Sequence, residues 1–72
     1  MSKVKSHKII SRDERILGGI PVFRGSRVPV KALWDYLRWG NSIEEFLADF
    51  PSVSREQVVG ILRRAEDRII NH

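Results

Sequence analysis

The stretch Gly18-Gly19-Ile20-Pro21-Val22-Phe23-Arg24-Gly25-Ser26-Arg27-Val28-Pro29-Val30 decides how the chain folds. It holds three of the five glycines and two of the three prolines. Gly18 and Gly19 admit positive φ or a close approach of backbones. Proline is tolerated at the first residue of a strand, so Pro21-Val22-Phe23 predicts a short strand. Arg24-Gly25 predicts a tight turn with glycine at its positive-φ position. Ser26-Arg27-Val28 then returns as a second strand. Pro29, with fixed φ and no N–H, suits the first position of a helix. The stretch therefore predicts a hairpin that feeds directly into a helix.

Upstream, Met1 to Lys8 alternates basic and small residues, which predicts a flexible basic arm over residues 1–7. Ile9-Ile10-Ser11 is a β-branched run that predicts a strand, and Arg12-Asp13-Glu14-Arg15 a charged turn. Three short extended pieces over about residues 8–28 cannot form an independently stable sheet. They must lie on the helices or pair with the same piece of a second chain.

Downstream, three helices are predicted, at about 29–39, 42–50 and 54–70. In the first, Val30, Leu33, Trp34 and Leu37 share one face, and Gly40-Asn41 is a stop signal. Trp39 falls opposite that face. It either folds back over the helix end or stands out as an aromatic anchor for a partner. Ser42 and Glu45 form a capping box for the second helix. Its apolar face is Ile43, Phe46, Leu47 and Phe50, and Pro51 ends it. Glu44, Glu45 and Asp49 face outward, as charges opposite an apolar stripe usually do. Ser54 and Gln57 form a second capping box for the third helix, whose buried stripe is Val58, Leu62, Ala65 and Ile69, flanked by Ile61. Gln57, Arg64 and Arg68 share one flank. Val59 and Ile70, with Arg63 between them, make a second apolar strip suited to a subunit contact or to the N-terminal strands. Gly60 costs about 1 kcal/mol in mid-helix relative to alanine, and lets something approach the backbone.

Composition bounds the function. The 72 residues allow one domain, residues 8–72, with a marginal core. The chain has no cysteine and its two histidines lie near the termini, so disulfides and thiolate or histidine metal sites are not expected. Oligomerisation remains as the means of support. The net charge is +4, and the excess sits in the first half. A basic half suits a polyanion or an acidic protein partner. No apolar run is long enough for a membrane span, and the lysines at the start are not followed by an apolar signal core. A cytoplasmic location is the expectation. There is no nucleophile–base pair, metal-ligand cluster or phosphate-cradling loop, so neither an enzyme, a cofactor nor a small-molecule substrate is expected.

The segment Ser42 to Leu62 has the form of a helix-turn-helix. In that motif the second helix enters the major groove and its first side chains reach base edges. Those side chains here are Ser54, Arg55 and Gln57, since arginine reads guanine and glutamine reads adenine. Arg63 and Arg64 lie nearer phosphates. The turn Phe50-Pro51-Ser52-Val53 is long for this motif, and Glu56 and Asp67 on the outer face repel phosphate. A three-helix bundle that only interacts with proteins therefore stays open as the alternative.

The stretch Gly18 to Val30, together with Gly40 and Phe50-Pro51-Ser52-Val53-Ser54, resembles a family of small prokaryotic domains, the domain-of-unknown-function family four-three-three. The resemblance runs from about Lys8 to Ile70. It implies a mainly α fold: a homeodomain-like or winged-helix-like three-helix bundle with a helix-turn-helix and short N-terminal strands, dimeric through strands paired between chains. It further implies the antitoxin of a type II toxin–antitoxin pair, which neutralises a PIN-like nuclease toxin and represses its own operon by binding operator DNA. On that implication Pro21, Phe23, Arg24, Arg27 and Trp39 are the candidate partner or dimer contacts, with Arg24 and Arg27 set against the toxin's acidic metal site. Arg27 has a purely architectural alternative, pairing with Asp13, Glu14 or a helix C-terminus.

Overall fold

A computed structural model describes residues 9–12, 14–15 and 17–70. The basic arm expected over residues 1–7, and Asp13 as a partner for Arg27, lie outside the described residues. Among the described residues the fold is mainly helical, with three helices and one short two-stranded antiparallel sheet.

Strand β1 (Ile10–Ser11) pairs with β2 (Val22–Phe23), Ile10 opposite Phe23 and Ser11 opposite Val22. The Arg24 N–H extends the ladder by donating to the Ile9 carbonyl at 2.8 Å. Between the strands, Leu17–Gly19 forms one 3-10 turn, with Gly18 and Gly19 at φ 71° and 89°. The turn after β2 forms where the sequence predicts it. The Ser26 N–H donates to the Phe23 carbonyl at 3.0 Å. Gly25 supplies the positive φ of 83° that such a turn demands at its third residue. The Ser26 hydroxyl locks the turn, donating to the Phe23 carbonyl at 2.7 Å and accepting from the Val28 N–H at 3.0 Å.

The expected return strand at Ser26 to Val28 is not a strand of its own. The chain does double back, since the Phe23 N–H donates to the Val28 carbonyl and the Val30 N–H to the Pro21 carbonyl. Only Pro29 bridges Val22, and β2 takes its ladder partner from β1. Successive strand residues point to opposite faces, and both faces of β2 are covered, so Val22 and Phe23 are each fully buried.

Helix α1 is Val30–Arg38. Pro29 stands just outside it at φ −64°, ψ 141°, an extended capping residue and not the first helical one. Leu33 is fully buried, and Val30, Trp34 and Leu37 pack against the core, as their spacing predicts. The helix ends in a Schellman motif. Gly40, at φ 86°, donates its N–H to the Leu37 carbonyl, and the Asn41 N–H reaches the Tyr36 carbonyl. Trp39 is 79% exposed and does not fold back over the helix end. The Schellman reversal carries the chain away and leaves the indole nothing to cover.

Helix α2 (Ile43–Asp49) opens on the complete capping box: the Glu45 N–H donates to the Ser42 hydroxyl, and the Ser42 N–H to the Glu45 carboxylate. Helix α3 (Arg55–Ile70) opens on the second, formed in the same way by Ser54 and Gln57. The core gathers Phe23, Val28, Leu33, Phe46, Val53, Val58 and Ile61. At its centre the Phe46 ring lies 5.9 Å from Phe23, 5.2 Å from Tyr36 and 4.9 Å from Phe50, centroid to centroid. Burying one such ring contributes about 1.5–3 kcal/mol.

The predicted stripe on α3 needs correction. Ile61, expected only to flank it, is buried with Val58, while Leu62 and Ala65 are half-buried. Ile69 is 79% exposed. It lies on the correct side of the helix, but the body it would cover stops about two turns earlier.

Candidate interaction surface

The site is built on Gln57. Its carboxamide oxygen accepts from the Ser54 N–H at 2.9 Å, which completes the cap of α3. Its Nε2 then donates to the Arg24 carbonyl at 3.0 Å and reaches the Ile9 carbonyl at 3.5 Å. One side chain thus ties the first turn of α3 to the loop after β2. Gly60, one turn further along the same flank, lets Ile9, just before β1, come close. A Cβ placed there would stand 2.5 Å from Ile9 Cδ1.

As a result the Arg24 backbone meets the first turn of α3, and Arg24, Arg27, Ser54 and Arg55 are all exposed. The sequence assigns the Arg24 turn and the head of α3 to different partners, and the Gln57 bond joins these two segments. Arg55 Nη2 donates to the Glu44 carboxylate at 2.8 Å, joining the starts of α2 and α3. That hydrogen bond is the main reason the Glu44 carboxyl lies below the usual carboxylate range. Both groups are largely exposed, and such pairs contribute little to stability. Arg27 has no ion pair with Glu14 or with any other described residue.

The remaining candidates separate. Gln57, expected to read a base, has its carboxamide committed inside the fold. Phe23, expected at a partner contact, is fully buried, and its ring packs on Phe46. Pro21 is half-buried, with its carbonyl accepting from Val30. Trp39 is exposed, at the far end of α1 from the Arg24 turn. Arg63 and Arg64 are both exposed but diverge around α3. Arg64 shares the flank of Gln57, whereas Arg63 lies with Val59 on the other side.

Two features went unread in the sequence. The Arg55–Glu44 pair spans two helices, and the Tyr36 hydroxyl donates to Asp49 at 2.6 Å. The capping box does reveal Gln57 at the third helical position, but no local signal names the Arg24 carbonyl as its second partner. Among the described residues, no three metal-ligating side chains come together, and no helix is long and apolar enough to cross a membrane.

The sequence model of the family described as "Protein of unknown function (DUF433)" matches residues 10–63, a span that includes both capping boxes, the Arg24 turn and Gly60. Among curated proteins, an uncharacterized protein, y4eO of Sinorhizobium fredii, is 38% identical over 53 residues, or 74% of this chain. Those residues are 24% of that protein, so the chain spans about a quarter of the relative's length. No solved structure matches.

Proposed function

The chain belongs to the DUF433 family of proteins of unknown function, and from that premise we propose that it is the antitoxin of a type II toxin–antitoxin pair. In this proposal it acts in the cytoplasm as a homodimer, silences a PIN-like nuclease and represses its own operon. Helices α2 and α3 serve as a helix-turn-helix in a homeodomain-like or winged-helix-like bundle. Ser54 and Arg55 address base edges, and Arg64 addresses phosphate. Arg24 and Arg27 stand against the carboxylates of the toxin's metal site, where a fixed positive charge competes with the metal. The observation that carries the reading is the Gln57 clamp, which sets the Arg24 turn beside the head of α3. The exposed Glu44 pair is weak enough for Arg55 to exchange it for guanine.

The test is binding of the full chain to its own upstream DNA at two salt concentrations. Neutralised phosphates predict affinity that falls steeply with salt, and Arg55→Ala should relax sequence preference at a cost of about 1–3 kcal/mol. Binding that ignores sequence, or no binding, overturns the repressor role. Co-purification with the product of the neighbouring reading frame tests the antitoxin role separately.

A second reading has its own support. Glu44, Glu45 and Glu56 are exposed near the starts of α2 and α3, where they would repel phosphate. That arrangement favours a protein-interaction module without DNA binding, for which Arg55→Ala leaves partner capture intact.

A further inference from the structure

The outer face of α3 carries four exposed residues in one stripe: Val59, Arg63, Glu66 and Ile70. Their spacing of four, three and four residues is that of a single helical face. Val59 is 37% and Ile70 67% exposed, in a helix whose other apolar side is partly buried. Arg63, Glu66, Asp67 and Ile70 line a shallow groove of about 360 Å³. Neither Arg63 nor Glu66 has an ion-pair partner among the described residues.

The order of chemical types along this stripe is apolar, basic, acidic, apolar. A two-fold axis crossing the helix midway between Arg63 and Glu66 also lies midway between Val59 and Ile70. Turned about that axis, an antiparallel second helix brings Glu66 to Arg63 and Ile70 to Val59, twice over. The stripe is thus complementary to itself in charge and in hydrophobicity, which is what an isologous contact requires. A foreign partner would not need this palindrome.

We propose that the outer face of α3 is a dimer interface on which a second copy of this chain docks antiparallel, through Val59, Arg63, Glu66 and Ile70. Two central ion pairs set the register, and two apolar pairs close the ends. Ile69, beside Ile70 and 79% exposed, is covered at the rim. This places dimerisation on α3 and leaves β1 and β2 paired within each chain. It also takes Arg63 out of any phosphate contact. The axis sets the two Arg55 residues about 28 Å apart along the helices at 1.5 Å per residue. That spacing approaches the one-turn separation of DNA half-sites. Only this last consequence rests on the DNA reading; the dimer itself needs neither DNA nor toxin.

The test is the solution mass of the full chain across the micromolar range, with helical content followed in parallel. The wild-type chain is expected to be a dimer. Arg63→Glu and Glu66→Arg each set like charges opposite one another, and each should weaken association about tenfold or more. The double variant Arg63→Glu/Glu66→Arg restores both pairs and should dimerise again. An equimolar mixture of the two single variants should form a heterodimer that neither forms alone. Arg27→Glu should leave the mass unchanged. A wild-type monomer throughout this range, a dimer indifferent to both single reversals, or failure of both the double variant and the mixture to associate while folded would overturn the proposal.

Discussion

The two halves of α3 belong to one helix, and they behave as different molecules. From Arg55 to Ile61 the helix is capped by Ser54, clamped to the Arg24 turn by Gln57, and rooted in the core by Val58 and Ile61. From Glu66 to Ile70 every residue is exposed. The apolar spacing continues unbroken from one half into the other. Periodicity therefore says which side of a helix is apolar, and it does not say how far the covering body extends. The first half is rooted in the fold, and the end of the second stands clear of it.

The largest effect that tests this contrast is in the core. Phe46→Ala should cost about 3–5 kcal/mol, a large share of the 5–15 kcal/mol that holds a typical domain folded. Ile69→Ala, in solution dilute enough to keep the chain monomeric, should stay within about 0.5 kcal/mol. Denaturant midpoints of the two variants measure the difference, and comparable losses would erase it.

Next comes the clamp. Gln57→Ala removes the reciprocal cap and the bond to the Arg24 carbonyl, and should cost about 1–2 kcal/mol. Amide exchange at Arg24 and Ser26 should quicken along with it. Arg64→Ala, two turns further along the same flank, should change neither stability nor exchange at the turn.

A smaller effect concerns Gly60. Alanine there gains about 1 kcal/mol of helix propensity, but its Cβ must displace the end of the Ile9 side chain. The two effects should nearly cancel in the wild-type background. In an Ile9→Ala background the obstacle is gone, and Gly60→Ala should stabilise by about 1 kcal/mol. A thermal double-mutant cycle reads the coupling, and strict additivity would mean that Ile9 does not rest on Gly60.

The smallest effects are those of pH on α1. Asp35 lies below the ordinary aspartate range, chiefly through its hydrogen bond from Lys31 and with Arg38 adding to it. A lowered folded pKa gives stability that is present above the unfolded value, near about 4. That stability is lost as pH falls through the folded value. Tyr36 is pushed up, chiefly by donating its proton to Asp49. Its contribution is full below the unfolded value of about 10, and fades as pH rises through the folded one. Lys31→Met should return the Asp35 titration toward the ordinary range in an NMR experiment and leave Tyr36 unmoved.

What could be read from the sequence was what is local in it. Both capping boxes, the Gly25 turn, the Gly40 stop and the three helices follow from residues within a few positions of one another, and they form where expected. Helix ends differ by a residue, with Pro29 and Trp39 acting as caps. Non-local facts were not legible. Phe23 read as a contact residue because nothing near it in sequence shows that β1 covers one side of β2 and Phe46 meets its ring. Gln57 read as a base reader because its second partner, the Arg24 carbonyl, lies 33 residues away. Gly60 was legible as a close approach, but Ile9 as the group that approaches was not. Of the candidate site, Arg24, Arg27, Ser54 and Arg55 were identified singly. That the Arg24 backbone meets the first turn of α3 depends on tertiary structure.

In this account the head of α3 faces DNA, and the outer face of the same helix, from Val59 to Ile70, serves self-association. The most direct measurement is amide hydrogen exchange across the full chain, alone and with its upstream DNA duplex, at one fixed protein concentration. The account predicts added protection at Arg24 to Arg27 and at Ser54 to Val58 when the duplex is present, with no change from Glu66 to Ile70. Protection confined to the tail, or none at either end, would contradict it.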